Sequence, residues 1–240
     1  MGEKAIRSVM ERARESLGPI QKPYSYQTLG QTEAEQKQAQ GAVLELDIEE
    51  SLLQKHLIQG EFVYQVRFER DHGVLLLLDT SLSMKGEKLA LLGVTVAAVC
   101  ESVPKAALCI LGFDSEIHVL KEFGEDVTTE MVVARVLSIP PGGFTNIEHG
   151  LKSARKHIDQ SGYPQSRVIL VSDGRYTEGK DPTIEAQNFR FIYPVKIGKD
   201  PTGRTVMREI ADTGQGRFAE VREMHELPRF LLNGIRAWVK

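Results

Sequence analysis

Five oxygen-bearing side chains in three short segments are the residues of this 240-residue chain best suited to chemistry. The first segment, Asp79-Thr80-Ser81-Leu82-Ser83, is a D-x-S-x-S pattern that follows the aliphatic run Val74 to Leu78. The second, Gly142-Gly143-Phe144-Thr145-Asn146, bends the chain and presents Thr145 just before a predicted helix. The third, Val171-Ser172-Asp173-Gly174, ends another apolar run with an acid beside a glycine. Carboxylates and hydroxyls are hard donors that suit Mg²⁺, Mn²⁺ or Ca²⁺, whereas softer metals prefer His or Cys. Taken singly, each segment has an ordinary explanation: Asp and Ser form turns and cap helices, Thr145 or Asn146 caps the following helix, and Asp-Gly is a common turn. Three such segments, each at the end of a predicted strand or the start of a helix, point instead to one divalent-metal site built from Asp79, Ser81, Ser83, Thr145 and Asp173. Asp79 is read at this stage as an exposed loop acid. Leu82 and Phe144 project beside the metal as exposed apolar surface, a pattern expected at a protein-binding spot.

The elements that must hold these residues follow from periodicity. Val74 to Leu78 is an uninterrupted aliphatic run, expected of a central strand covered on both faces; Ala107 to Phe113 is a second buried run, and Arg167 to Val171 and Phe191 to Ile197 read as further buried strands. Glu116 to Leu120 follows Asp114-Ser115 as a hairpin return and hence an antiparallel edge strand; Arg217 to Val221 supplies a further strand. Lys88 to Ser102, Thr128 to Leu137, Ile147 to Gln160, Arg204 to Thr213 and Glu226 to Val239 read as helices, the last with Phe230, Leu231, Ile235 and Trp238 on one face. The fold class is α/β: a doubly wound, mainly parallel six-stranded sheet with one antiparallel edge strand and helices on both faces, plus an N-terminal helical extension. Ligands of such sheets bind beyond the carboxyl ends of the strands, at the turns after Leu78, Pro140 and Ser172.

Ahead of this unit, Glu3 to Leu17 has helical spacing of Ile6, Val9, Met10, Ala13 and Leu17, and Gly18-Pro19 stops it. Pro23 to Gly41 is polar and glutamine-rich, either a connector or a solvated helix. Asp47 to Ile58 fits a short helix, and Glu61 to Glu69 alternates like a half-buried strand. The expected division is therefore 1–45 as N-terminal helix and connector, 46–72 as a helix-strand lead-in, and 73–240 as the main domain.

Acidic and basic side chains nearly balance, 33 against 30, so the concentrated positive field needed for nucleic acid or an anionic membrane surface is missing. No stretch reaches the roughly 20 apolar residues of a membrane span, and no signal-peptide core is recognisable. Cys100 and Cys109 lie in apolar stretches without metal-ligand spacing and read as two buried thiols in a reducing compartment, which makes the expected location cytoplasmic. The chain has no G-x-x-x-x-G-K-[ST], G-x-S-x-G or H-E-x-x-H pattern. His149 and His157, eight apart on one predicted helix, read as surface or packing residues.

The three segments resemble the metal-ion-dependent adhesion site (MIDAS) of the von Willebrand factor type A (vWA) and integrin I-domain family, in family order from about Val74 to the C-terminus. The resemblance implies a vWA/Rossmann-like fold in which Ser81, Ser83 and, in one state, Thr145 bind the metal directly, with Asp79 and Asp173 as direct or water-mediated acids. It departs from many members at Leu82, where they carry glycine, and at Phe144, a large aromatic in the Gly-Gly-x-Thr loop. The resemblance further implies a non-catalytic module whose Mg²⁺ (or Mn²⁺ or Ca²⁺) completes its coordination with an Asp or Glu of a protein partner. The lead-in also resembles that of bacterial CoxE-like vWA proteins, which implies a MoxR-type AAA+ ATPase as partner and an adaptor role. Two alternatives stand beside this one: a metal-dependent hydrolase, for which the sequence offers no evident general base, and a scaffold with a vestigial site.

Overall fold

The computed structural model describes residues 3–17, 25–39, 42–46, 48, 51, 61–68, 72–84, 86–140 and 142–238. Two units emerge, one formed by Met1–Ile20 with Asp71–Lys240 and the other by Gln21–Arg70.

In the smaller unit, strands β1 (Ser25–Gly30), β2 (Ala42–Leu46) and β3 (Glu61–Phe68) form an antiparallel sheet in the order β1-β3-β2, and helix α2 (Gln31–Ala39) joins the first two. Leu29, Ala34, Leu44 and Tyr64 share its small core. The strand expected at 61–69 is present. The polar stretch 23–41, read as a connector or solvated helix, instead holds a strand followed by a helix, because pairing along β3 satisfies the backbone of β1 despite its few apolar side chains. The helix expected over 47–58 lies outside the described residues except for Ile48 and Ser51, both helical.

The larger unit carries six strands: β4 (Val74–Asp79), β5 (Leu108–Phe113), β6 (Ile117–Lys121), β7 (Arg167–Ser172), β8 (Ile192–Ile197) and β9 (Ala219–Val221). They run in the order β6-β5-β4-β7-β8-β9, all neighbours parallel except the β5–β6 pair, which is the expected sheet with one antiparallel edge strand. The uninterrupted apolar sequence of β4 has a direct cause: Leu76 and Leu78 point into the core on one face, Leu75 and Leu77 into the core on the other. Helices α3 (Glu87–Ser102), α4 (Thr129–Leu137) and α8 (Leu227–Trp238) cover the first face through Leu92, Val96, Val132, Val136, Leu231 and Ile235. Helices α5 (Ile147–Asp159) and α7 (Arg204–Thr213), with the short α6 (Thr183–Ala186), cover the second through Leu151, Ile158, Met207 and Ile210. At about 1.5–3 kcal/mol for each fully buried aliphatic side chain, these two layers supply most of the drive to fold.

Helix α3 departs from the one-sided pattern of a surface helix, since every residue from Leu91 to Val99 is buried. Its outer face is covered by helix α1 (Glu3–Leu17), whose Val9, Met10 and Ala13 pack on Val94 and Ala97 of α3 and on Val133 and Leu137 of α4. Gly93 makes the approach close, for a Cβ there would already lie 3.4 Å from Val9 Cγ1. The N-terminal helix thus forms a third layer of the larger unit.

Cys109 is buried on β5 as expected, while Cys100 at the end of α3 is only partly covered. Burial pushes both thiols up to about 12. With so little thiolate at neutral pH, a maleimide should label neither within minutes in the native protein and both after denaturation; fast native labelling at either position would contradict this placement.

Candidate metal centre

Asp79 is the last residue of β4 and is fully buried, not the exposed loop acid read from the sequence. Its Oδ1 accepts the Ser81 backbone N–H at 3.0 Å and its Oδ2 accepts the Ser172 hydroxyl at 2.6 Å. The first bond folds the chain back as it leaves the sheet. A short 3₁₀ turn, Leu82–Met84, then anchors the loop by burying Met84 in the core. Burial drives the Asp79 carboxyl up to about 6, against the hydrogen bonds from Ser172 and Ser81 that favour the anion; the charge of nearby Asp173 adds to the rise.

On this loop the Ser81 and Ser83 hydroxyl oxygens stand 3.3 Å apart. The Leu82 N–H donates to Gly143 O at 3.4 Å, which brings the second predicted segment against the first. Gly143 has a φ of 75°, and a Cβ there would come within 2.6 Å of the Asp114 side chain, so the loop needs glycine on both counts. Thr145 is buried and its backbone is clamped: its N–H donates to Thr177 Oγ1 at 3.1 Å, and its carbonyl accepts from Thr177 and Glu178. The cap of α5 falls to Asn146, whose side chain accepts the His149 N–H at 2.9 Å. The ordinary role open to Thr145, helix capping, is therefore taken by its neighbour.

Asp173 follows β7 and is partly exposed. The Arg175 N–H holds its Oδ1 at 2.9 Å, and Gly174 turns the chain at a φ of 80°. A Cβ on Gly203, the residue capping α7, would strike the Asp173 carbonyl, so this helix start packs directly on the Asp173 turn. Arg204 in its first turn forks onto Glu220 of β9 at 2.9 and 3.0 Å, and Glu220 also pairs with buried Lys196 of β8 at 3.3 Å. That network ties α7 to the sheet edge.

The structure thus brings the three loops bearing Asp79, Ser81, Ser83, Thr145 and Asp173 to the carboxyl edge of β4 and β7. Leu82 and Phe144 are 55% and 65% exposed beside them, joined by Tyr176 at 37%. Three further residues support the arrangement. Ser172 holds Asp79. Thr177 holds Thr145. Ser115 accepts the Phe144 N–H at 3.0 Å and donates to Glu178 at 2.6 Å. Ser172 left a faint signal as a hydroxyl closing an aliphatic strand; Ser115 and Thr177 left none, since their roles depend on contacts far away in the chain.

The donor set fits a hard dication. Ligands about 2.1 Å from Mg²⁺ at right angles lie about 3 Å apart, close to the spacing of the two serine hydroxyls. Among the described residues no group of three or more His, Cys, Asp or Glu side chains could hold a metal, so the alternative of a nitrogen- or sulfur-rich site has no candidate there. The acids and imidazoles around the Thr145 loop are engaged elsewhere: Asp114 with His118 at 2.9 Å, Glu178 with Ser115, and His149 with Ser115 O at 3.3 Å.

Residues 74–175 match the family model described as von Willebrand factor type A domain, and the sheet has the architecture of that fold. The chain is 30% identical over 138 residues to minor fimbrium subunit Mfa5 of Porphyromonas gingivalis, a match over 53% of this chain but only 11% of that protein. Among solved structures, a von Willebrand factor type A protein from Catenulispora acidiphila superposes with a TM-score of 0.58 at 16% identity, over 72% of this chain and 44% of the other. Proximal thread matrix protein 1 of the mussel byssus, with a zinc-occupied MIDAS motif, superposes with a TM-score of 0.56 at 22% identity, over 68% and 46%.

Proposed function

We propose that residues 73–240 form a non-catalytic binding module in which Ser81 and Ser83, joined by Thr145 when the partner binds and backed by Asp79 and Asp173, hold one divalent cation for a protein partner. The observation that carries this reading is the pair of serine hydroxyls 3.3 Å apart on an acid-backed loop, flanked by exposed Leu82 and Phe144. The zinc-occupied motif of the mussel relative supports metal binding; hydroxyl and carboxylate donors favour Mg²⁺ or Mn²⁺ here. When bound, the cation would supply an electropositive coordination point. The hydroxyls are neutral donors and Asp79 is held behind them by two hydrogen bonds, so the ligands of this chain do not fill the shell and an outside Asp or Glu is the natural final ligand. The apolar rim would pack around it.

The resemblance to CoxE-like proteins makes a MoxR-type AAA+ ATPase the first partner to test and the adaptor role the first to consider. A cytoplasmic location belongs to the same reading and is supported by the two unpaired thiols. Calorimetric titration with Mg²⁺ and Mn²⁺ should give one site per chain; no binding would leave the scaffold alternative, and turnover of generic phosphoesters would favour the hydrolase. Thr145→Ala should weaken binding of the ATPase about tenfold while changing Mg²⁺ affinity by no more than about threefold, because the partner's carboxylate favours direct coordination by Thr145. Equal ATPase binding in excess chelator, or a contact surface confined to α8, would overturn the proposal.

A further inference from the structure

The guanidinium of Arg175 lies at the edge of the candidate metal centre and faces two acids. Its Nε is 3.8 Å from Asp173 Oδ2, while its Nη1 donates to Asp200 Oδ2 at 3.0 Å. The two acids sit on different loops, after β7 and after β8. Asp173 is also held by the Arg175 backbone N–H on its other oxygen, so the two residues meet twice. Asp200 is fixed separately, by the Thr202 backbone N–H at 2.9 Å and by the Thr202 hydroxyl. Arg175 and Asp200 are both half exposed, and Thr202 fixes the Asp200 carboxylate through its other oxygen, so Arg175 stands between an acid of the candidate site and an acid held outside it.

We propose that Arg175 is a built-in competitor of the metal: it shares its charge with Asp173 until the cation arrives and is then retained by Asp200. The inference rests on the metal site proposed above and concerns what sets its affinity. A cation entering beside Asp173 must oppose the positive charge already there, and two like charges at such a distance repel. Asp200 limits that cost because its Oδ2 accepts from Arg175 Nη1 and so offers the guanidinium a partner outside the metal site. Arg175 thus lowers the site's affinity for free cations, and Asp200 moderates the effect.

Calorimetric titration of the full chain with Mg²⁺ alone, accompanied by a thermal melt of each variant, tests this. Arg175→Ala should tighten Mg²⁺ binding about fivefold, and Arg175→Lys, which keeps the charge, should leave it within about twofold of the wild type. Asp200→Ala frees the guanidinium to turn wholly to Asp173 and should weaken Mg²⁺ binding about threefold; in the Arg175→Ala background that loss should vanish. Raising the salt concentration should shrink the Arg175→Ala gain. Unchanged or weaker Mg²⁺ binding in Arg175→Ala with an unchanged melt would overturn the competitor role, as would an equal Asp200→Ala loss in both backgrounds. Failure of both wild type and Arg175→Ala to bind Mg²⁺ up to about 10 mM would remove the metal site and this role together.

Discussion

Asp79→Asn should make the metal-free protein more stable at neutral pH and at the same time remove its divalent-cation binding. The two effects share one cause, the burial of a carboxylate at the end of β4. In the folded chain its pKa is raised to about 6 from an ordinary 3.8, chiefly by desolvation. A group whose folded pKa is raised adds stability that is fully present below the unfolded pKa and is lost as pH climbs through the folded one. For Asp79 the loss falls between about pH 4 and pH 6 and amounts to roughly 3 kcal/mol. Asparagine has no charge to desolvate and can still accept from the Ser81 N–H, while Ser172 can reverse its hydroxyl. The difference in melting temperature between Asp79→Asn and the wild type should therefore grow from near zero at pH 4 to its full value by pH 7. Calorimetry should show at least a hundredfold loss of Mg²⁺ affinity, and Mg²⁺ should stabilise only the wild type. A variant that still binds Mg²⁺ as the wild type does would remove Asp79 from the site. A melting difference independent of pH would remove the buried charge as its cause.

Met10→Asp should lower the melting temperature by about 10 °C. Met10 is 7% exposed against the outer face of α3 and α4, so the change deletes a packed thioether and places a carboxyl among Val94, Ala97, Val133 and Leu137. Lost burial and the polar group together cost about 4 kcal/mol, at about 2–4 °C per kcal/mol for a domain of this size. Glu11→Ala, on the exposed side of the same helix, is the control and should melt within about 2 °C of the wild type. If Met10→Asp melted with its control, α1 would not be a working layer of the fold.

Both predictions bear on what could be read from residues alone. The sheet was legible because β4, β5 and β7 send apolar side chains into the core on both faces, as strands of a doubly covered sheet must. The three loops were legible because glycine, acid and hydroxyl residues recur at the strand ends. The inward turn of Asp79 was not: it depends on Ser172, 93 residues away, and on a loop that folds back over the carboxylate. The third layer left a clue that the helical periodicity of α1 did not resolve. Leu91 to Val99 is almost wholly apolar, too much so for a helix with one face in water, yet nothing local says which element covers it. The strand β1 was hidden for the opposite reason, since Ser-Tyr-Gln-Thr-Leu-Gly has little apolar content and owes its extended form to pairing with β3.

The docking of α1 has a consequence for association. Its groove on α3 and α4 is filled by a segment joined to the rest of the larger unit only through residues 21–70. That connection, which carries the folded β1-β3-β2 sheet, makes the docking intramolecular, so in dilute solution each chain keeps its own helix. In a more crowded setting the helix of one copy could fill the groove of another with identical contacts, giving an exchanged dimer that buries the same residues as the monomer and carries two copies of the candidate metal centre.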